Sequence, residues 1–176
     1  QLQSMTDQEN YRKLPAILVG ASAAVLPEQL AIWSYPLQNA DADQASFNMV
    51  TAMLCRIHQS GRLDSLSTVA GKQVAEGIRI YKEVLRKHIP EAVPFYPLGM
   101  SDVTDPDAPV SLGMRAPTQT LLGVWRLDGP ATTRIPWMYA EPKLLYPSDL
   151  GIKIATSEGT LQVEFPRSHM ACLLTA

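Results

Sequence analysis

The chain has 176 residues, 46% of them hydrophobic and 18% charged, with a formal net charge of -2. That apolar content over that length supports a sizeable core, in one domain or two small ones. Lysines and arginines are scattered and show no basic excess, so neither a nucleic-acid surface nor an anionic membrane surface is favoured.

Cys55 and Cys172 are too few for a disulfide scaffold or a cysteine zinc site, and both read as small core residues. No apolar run reaches the length of a membrane span: the run from Leu14 to Leu26 is short and is interrupted by Pro15, Gly20 and Ser22. The start, QLQSMTDQEN, has neither the basic patch nor the apolar segment of a secretory leader, and it does not begin with methionine. The sequence is therefore expected to be a piece of a longer protein, with the cytoplasm as the expected compartment of the parent.

Taken in order, Leu2 to Asp7 reads as a strand end running into a loop where Ser4, Thr6, Asp7 and Glu9 cluster. A carboxylate between a strand end and a helix is a common place for a catalytic acid in βα folds. By side-chain chemistry alone, Ser, Thr or Asp in that place caps the helix. Leu14 to Leu26 has the spacing of a buried helix, with Pro15 suited to its first turn and Pro27 closing it.

Ala31 to Tyr35 is a β-prone run stopped by Pro36. Asp41 and Asp43 are candidate caps for a helix carrying Phe47, Val50 and Leu54 on one face, and Leu54 to His58 reads as the next strand. A strand, helix and strand this close imply a parallel pair with a right-handed crossover. Repeated units of this kind put active sites at the carboxyl ends of their strands, which directs attention to Ser34, Tyr35, Gln59 and Ser60.

Ser67 or Thr68 can cap a long helix with Val74, Ile78, Tyr81 and Leu85 on its apolar face and Lys82, Arg86, Lys87 and His88 in its last turns. Residues 1–89 thus alternate strands and helices, as a parallel α/β fold does. Six prolines from Pro90 to Pro117 break up the next segment, which reads as a linker over 90–117. Its SDVTDPD cluster has the acidic density of a calcium loop without the spacing of one. From Thr118 onward, alternating segments such as Leu161, Val163 and Phe165, with the turn Ser157-Glu158-Gly159, predict an antiparallel β-sandwich over 118–176.

His58, His88 and His169 lie in different elements with no ligand spacing, so neither a metal site nor a histidine triad is supported. Gly20 and Gly61 are isolated, and no phosphate loop occurs. No cofactor is expected. Trp33 and Tyr35 read as core aromatics or as a ligand platform. The remaining chemistry is carboxylate chemistry, and Asp7 is the one acid that combines a strand end, a hydroxyl-rich neighbourhood and a following helix. Glycoside hydrolysis needs two such groups, and a second with equal placement does not occur in this chain.

The phrases SMTDQENYRKLPAI, VLPEQLAIWSYPL, NMVTAMLCRIHQSG, LLGVWRLDG and EPKLLYPSDLGI, in this order, resemble the carboxyl-terminal half of the α-galactosidases (melibiases) of glycoside hydrolase family 36. The resemblance implies the last strands and helices of a (β/α)8 barrel followed by the antiparallel sandwich, with SMTDQE as the stretch bearing the general acid/base, Asp7. It also implies that the nucleophile is an aspartate in an upstream Lys-x-Asp motif, which this sequence lacks; the candidates for substrate contact are Gln3, by its place before the acid in that stretch, and, by their places at strand ends, Trp33 and Ser60. Gln3 departs from the arginine that many members carry four residues before the acid.

The parent would then be a retaining enzyme acting on terminal α-galactosyl residues of oligosaccharides, and the 176-residue piece would be inactive alone. A homo-oligomer of the full-length enzyme is left open. The alternatives are a related α-glycosidase, such as an α-N-acetylgalactosaminidase, and a non-catalytic carbohydrate-binding module in which Asp7 merely caps a helix.

Overall fold

Three short β-prone runs separated by helical ones form a parallel sheet in the computed structural model, which describes residues 2–176. Strands β1 (Gln3–Met5), β2 (Leu30–Ser34) and β3 (Arg56–Gln59) lie in that spatial order, with Met5 opposite Ile32 and Ser34 opposite Gln59. The helices that connect them, α1 (Leu14–Ser22) and α2 (Ala42–Met53), pack on one face of the sheet.

Pro15 sits in the first turn of α1, where its missing N–H costs nothing. Of the two candidate caps of α2, Asp41 takes the role: its Oδ1 accepts from Gln44 N at 2.8 Å. Asp43 already lies inside the first turn and instead forms a two-pronged ion pair with Arg167, at 2.5 and 2.9 Å. β3 begins two residues later than the sequence suggests, because α2 runs on to Met53 and Leu54 closes it.

Helix α3 (Thr68–Ile80) is capped by Ser67, whose hydroxyl accepts from Ala70 N at 3.1 Å, and it buries Ala70, Val74, Gly77 and Ile80. The long helix expected through His88 is α-helical only to Ile80; a π turn over Tyr81–Leu85 follows, closed by Arg86 N donating to Tyr81 O at 2.9 Å. Leu85, at the end of that turn, is fully buried, as its place on the apolar face predicts.

The stretch expected as a linker, 90–117, carries two strands. Strands β4 (Val93–Phe95) and β5 (Val110–Arg115) join β6 (Thr120–Arg126), β11 (Met170–Thr175) and β8 (Lys143–Tyr146) in an antiparallel sheet of order β4-β5-β6-β11-β8. A second antiparallel sheet has the order β7-β10-β9, formed by β7 (Thr132–Pro136), β9 (Lys153–Ser157) and β10 (Thr160–Glu164). Proline confines strand pairing to edges, and β4, with Pro94 at its centre, is an edge strand.

Period two along β6 explains how the layers share residues. Leu121 and Trp125 point into a core with α2 and α3, whereas Leu122 and Val124 point into the core between the two antiparallel sheets. β11 divides in the same way, with Ala171 and Leu173 on the helix side and Cys172 and Leu174 on the other. The helices therefore lie between the parallel sheet and the five-stranded sheet, in one continuous core. Two buried hydrogen bonds cross that junction: Trp125 Nε1 donates to Thr51 Oγ1 at 3.0 Å, and the Tyr146 hydroxyl donates to Gln73 O at 3.0 Å.

Gly113, on β5, faces the Phe95 ring so closely that an added Cβ would fall 2.1 Å from it. Gly113→Ala is expected to cost about 1–3 kcal/mol, because the ring sits against a backbone that the sheet holds in place. A denaturant midpoint unchanged in this variant would show that Phe95 swings away freely. Burial also sets the chemistry of the thiols: it pushes Cys55 up to about 12 and raises Cys172 as well. Both are expected to stay inert to a thiol-disulfide reagent at pH 8 while the protein is folded and to react within seconds once it is denatured, since only the thiolate attacks. Fast labelling of the native protein would contradict this.

Candidate active site

A cleft of about 540 Å³ opens at the carboxyl edge of the parallel sheet, within the size range of small-molecule sites. Each strand leads a residue into it. Thr6 and Asp7 follow β1, Trp33 and Tyr35 mark the end of β2, and Ser60 follows β3, its N–H continuing the ladder to Ser34 O at 3.0 Å. Tyr11 lines the cleft and packs edge-on against the buried Phe47 of α2, with ring centres 5.4 Å apart.

Asp7 is exposed at this cleft and, among the described residues, accepts no hydrogen bond. The capping expected from its chemistry is performed by Asn10, whose Oδ1 accepts from Arg12 N at 3.1 Å. Asn10 has the extended backbone that a cap requires, φ -80° and ψ 96°, and it lies directly before the first helical turn, whereas Asp7 lies three residues too early. Gln8 supports the same turn by accepting from Asn10 N at 3.0 Å.

Trp33, half-buried, faces away from the helices. Its ring meets His58 at 5.0 Å between centres, and His58 Nδ1 lies 3.5 Å from Ser4 Oγ. The alternate residues of β2 face the helices, where Ile32 joins the core and Ser34 donates to Met49 Sδ at 3.2 Å. Ser34 is thus buried away from the cleft. Gln59 also turns inward and donates to Ser34 O at 3.1 Å. Gln3 does not line the cleft: period two sends Ser4 toward His58 and Gln3 to the opposite side of β1, where it is exposed two residues short of the strand end.

The structure therefore brings Asp7, Trp33 and Ser60 together and leaves Gln3 outside. Sequence reasoning did not assign Glu9 or Leu37 to the site, though both line the cleft. Their signal was position alone, in loops that directly follow β1 and β2. Asp7 and Glu9 are the charged residues of the lining, so the cleft disfavours anions. Among the described residues, no group of three or more His, Cys, Asp or Glu side chains could hold a metal ion.

No family model and no curated protein matches the sequence. Solved structures do match. The galactosidase domain of the α-galactosidase-sucrose kinase AgaSK superposes with a TM-score of 0.67 at 16% identity over 97% of this chain. The family 36 α-galactosidase AgaA from Geobacillus stearothermophilus, in complex with 1-deoxygalactonojirimycin, superposes at 0.62 with 10% identity over 97% of the chain. A further form of that enzyme, in complex with raffinose, superposes at 0.62 with 9% identity over 91%.

At such identities the likeness establishes the fold. The chain has the fold of the carboxyl-terminal part of family 36 α-galactosidases, and it spans a quarter of the length of these structures, 25% in each case.

Proposed function

We propose that the chain is the carboxyl-terminal portion of a family 36 α-galactosidase, in which Asp7 is the general acid and then the general base of a retaining hydrolysis. In this reading the parallel sheet is the last third of a (β/α)8 barrel. Its two edge strands, β1 and β3, pair among the described residues only with β2, and two further strands of the parent would close on them. Residues 1–89 would belong to the barrel and 118–176 to the sandwich.

One observation carries the proposal: Asp7 stands free of any capping or hydrogen-bonding role at the rim where three parallel strands end, in a cleft walled by Trp33. An exposed carboxylate without a structural partner, at the point where βα folds gather their reacting groups, is placed for chemistry on a ligand.

In the first step an upstream aspartate attacks the anomeric carbon while Asp7 passes its proton to the departing glycosidic oxygen. In the second, Asp7 takes a proton from the incoming water as that water displaces the enzyme carboxylate with a second inversion. The negative lining favours a neutral sugar, and the aromatic wall offers an apolar face to its C–H groups.

The intact protein is expected to release p-nitrophenol from p-nitrophenyl α-galactoside and not from the corresponding N-acetylgalactosaminide, and residues 1–176 alone are expected to release none. Release by the piece alone would refute the missing nucleophile. Silence from the intact protein would refute the activity.

A further inference from the structure

Period two along the parallel sheet sorts its side chains by face. Met5, Ile32 and Ile57 pack on the helix side, so Ser4, Trp33 and His58, each beside one of them in the chain, share the other face. Trp33 and His58 are partners in register across β2 and β3, and their rings meet edge to face, with 64° between planes and 5.0 Å between centres. Ser4 is a strand further off, opposite Ala31, which lies two residues before Trp33 on β2. Neighbouring strands lie about 4.8 Å apart, so His58 reaches Ser4, with 3.5 Å from Nδ1 to Oγ, by crossing β2 beside Ala31. Ala31 is fully buried, and its methyl group is small enough to leave that path open.

This arrangement lets His58 act on the cleft through Trp33. The indole lines the cleft, whereas Ser4 and His58 stand one layer deeper, two residues before Thr6 and Ser60, which line it as well. The other polar side chains of β3 are engaged elsewhere: Arg56 donates to Glu28 O, and Gln59 turns inward to Ser34 O. The support of the indole on its β3 side is therefore the imidazole. A tryptophan at a strand end turns about two side-chain bonds, and an aromatic neighbour against it removes that freedom before a ligand arrives, which spares the ligand the cost of ordering the ring.

We propose that His58 is a positioning residue: its imidazole, lying across β2 toward Ser4, holds the Trp33 indole as a fixed wall for the sugar that Asp7 attends. The proposal deepens the reading of the cleft as a glycosidase site and rests on it. His58 touches the sugar only by way of the indole, so its effect falls on binding and not on the chemical step.

The test uses the intact protein and p-nitrophenyl α-galactoside. His58→Ala is expected to raise KM roughly threefold to tenfold with kcat nearly unchanged, the effect of releasing one aromatic side chain. His58→Phe, which keeps a ring against the indole, is expected to stay within about twofold of the wild type in KM. In a Trp33→Ala background, the change from His58 to Ala is expected to alter KM less than about twofold, because two residues that act through one contact are not additive. A KM unchanged in His58→Ala, or an equal rise in both backgrounds, overturns the proposal.

A second readout does not depend on turnover. With 5-fluorotryptophan incorporated, the fluorine resonance of Trp33, assigned by its loss in Trp33→Phe, is expected to be one sharp line in the wild type and a broadened or split one in His58→Ala. A line that stays single and equally sharp overturns the proposal whatever the activity. A wild type that cleaves no galactoside overturns the glycosidase reading instead, and the fluorine line still decides whether His58 orders the ring.

Discussion

Asp7→Ala in the intact protein is expected to lower kcat on an oligosaccharide by about a hundredfold to ten-thousandfold, the range that a positioned proton donor and acceptor supplies. Its stability is expected to stay within about 0.5 kcal/mol of the wild type, because Asp7 is exposed and the cap it might have formed belongs to Asn10. The loss depends on the leaving group. An alkoxide must receive a proton as it departs, whereas fluoride leaves without one, so the variant is expected to retain far more activity on α-galactosyl fluoride. Azide, which attacks the glycosyl-enzyme without a general base, is expected to restore turnover of such activated substrates. Asn10→Ala gives the converse: about 1 kcal/mol of stability lost with kcat nearly unchanged. An Asp7→Ala enzyme that unfolds early, or one that works at the wild-type rate, would end the proposed role.

The second large effect is structural. Trp125→Ala is expected to cost about 3–5 kcal/mol, since the ring is fully buried between the five-stranded sheet and α2 and its indole N–H is bound to Thr51. Gly123 shows how tight the fit is, because a Cβ there would fall 2.5 Å from the Trp125 ring. The ring belongs to a core that joins α2 and α3 to β6 and β11, so its removal is expected to lower the unfolding midpoint of the helices as much as that of the sandwich. Separate transitions, with only the later one shifted, would show that the two parts fold independently; the measurement is far-ultraviolet and near-ultraviolet circular dichroism along one denaturant series.

Much of this fold is legible in residue patterns. The run Ala31 to Tyr35 and the helix carrying Phe47 and Val50 identify the parallel unit, and the alternation Leu161, Val163, Phe165 identifies β10. The candidate site was legible in part, because the loops after parallel strands gather at one rim, a rule that needs only strand boundaries. Ser34 and Gln59 turn inward although they end strands, and Trp33 is the penultimate residue of β2, whereas Asp7, Tyr35 and Ser60 obey the rule. Gln3 does not, because a strand alternates sides and its two-residue distance from the rim outweighs its nearness in the chain.

Three features were not legible, each for the same kind of reason. β4 and β5 are short segments in proline-rich text, and what makes them strands is partners up to Trp125 along the chain, not a local period. The choice of Asn10 over Asp7 as cap depends on where the first helical turn begins, which several polar residues in a row leave undecided by composition. The joining of the helices to the sandwich depends on which face of β6 meets α2.

By itself the sequence determined local matters: which segments outside the proline-rich stretch are helical or extended, that Pro15 opens one helix and Ser67 or Thr68 caps another, and that a carboxylate follows a strand end. Tertiary structure alone decided the register of the sheets, the shared core around Trp125, and the meeting of loops from β1, β2 and β3 in one cleft. Local preferences act through steric and hydrogen-bonding constraints within a few residues, whereas burial and strand pairing act between residues that only the folded chain brings near.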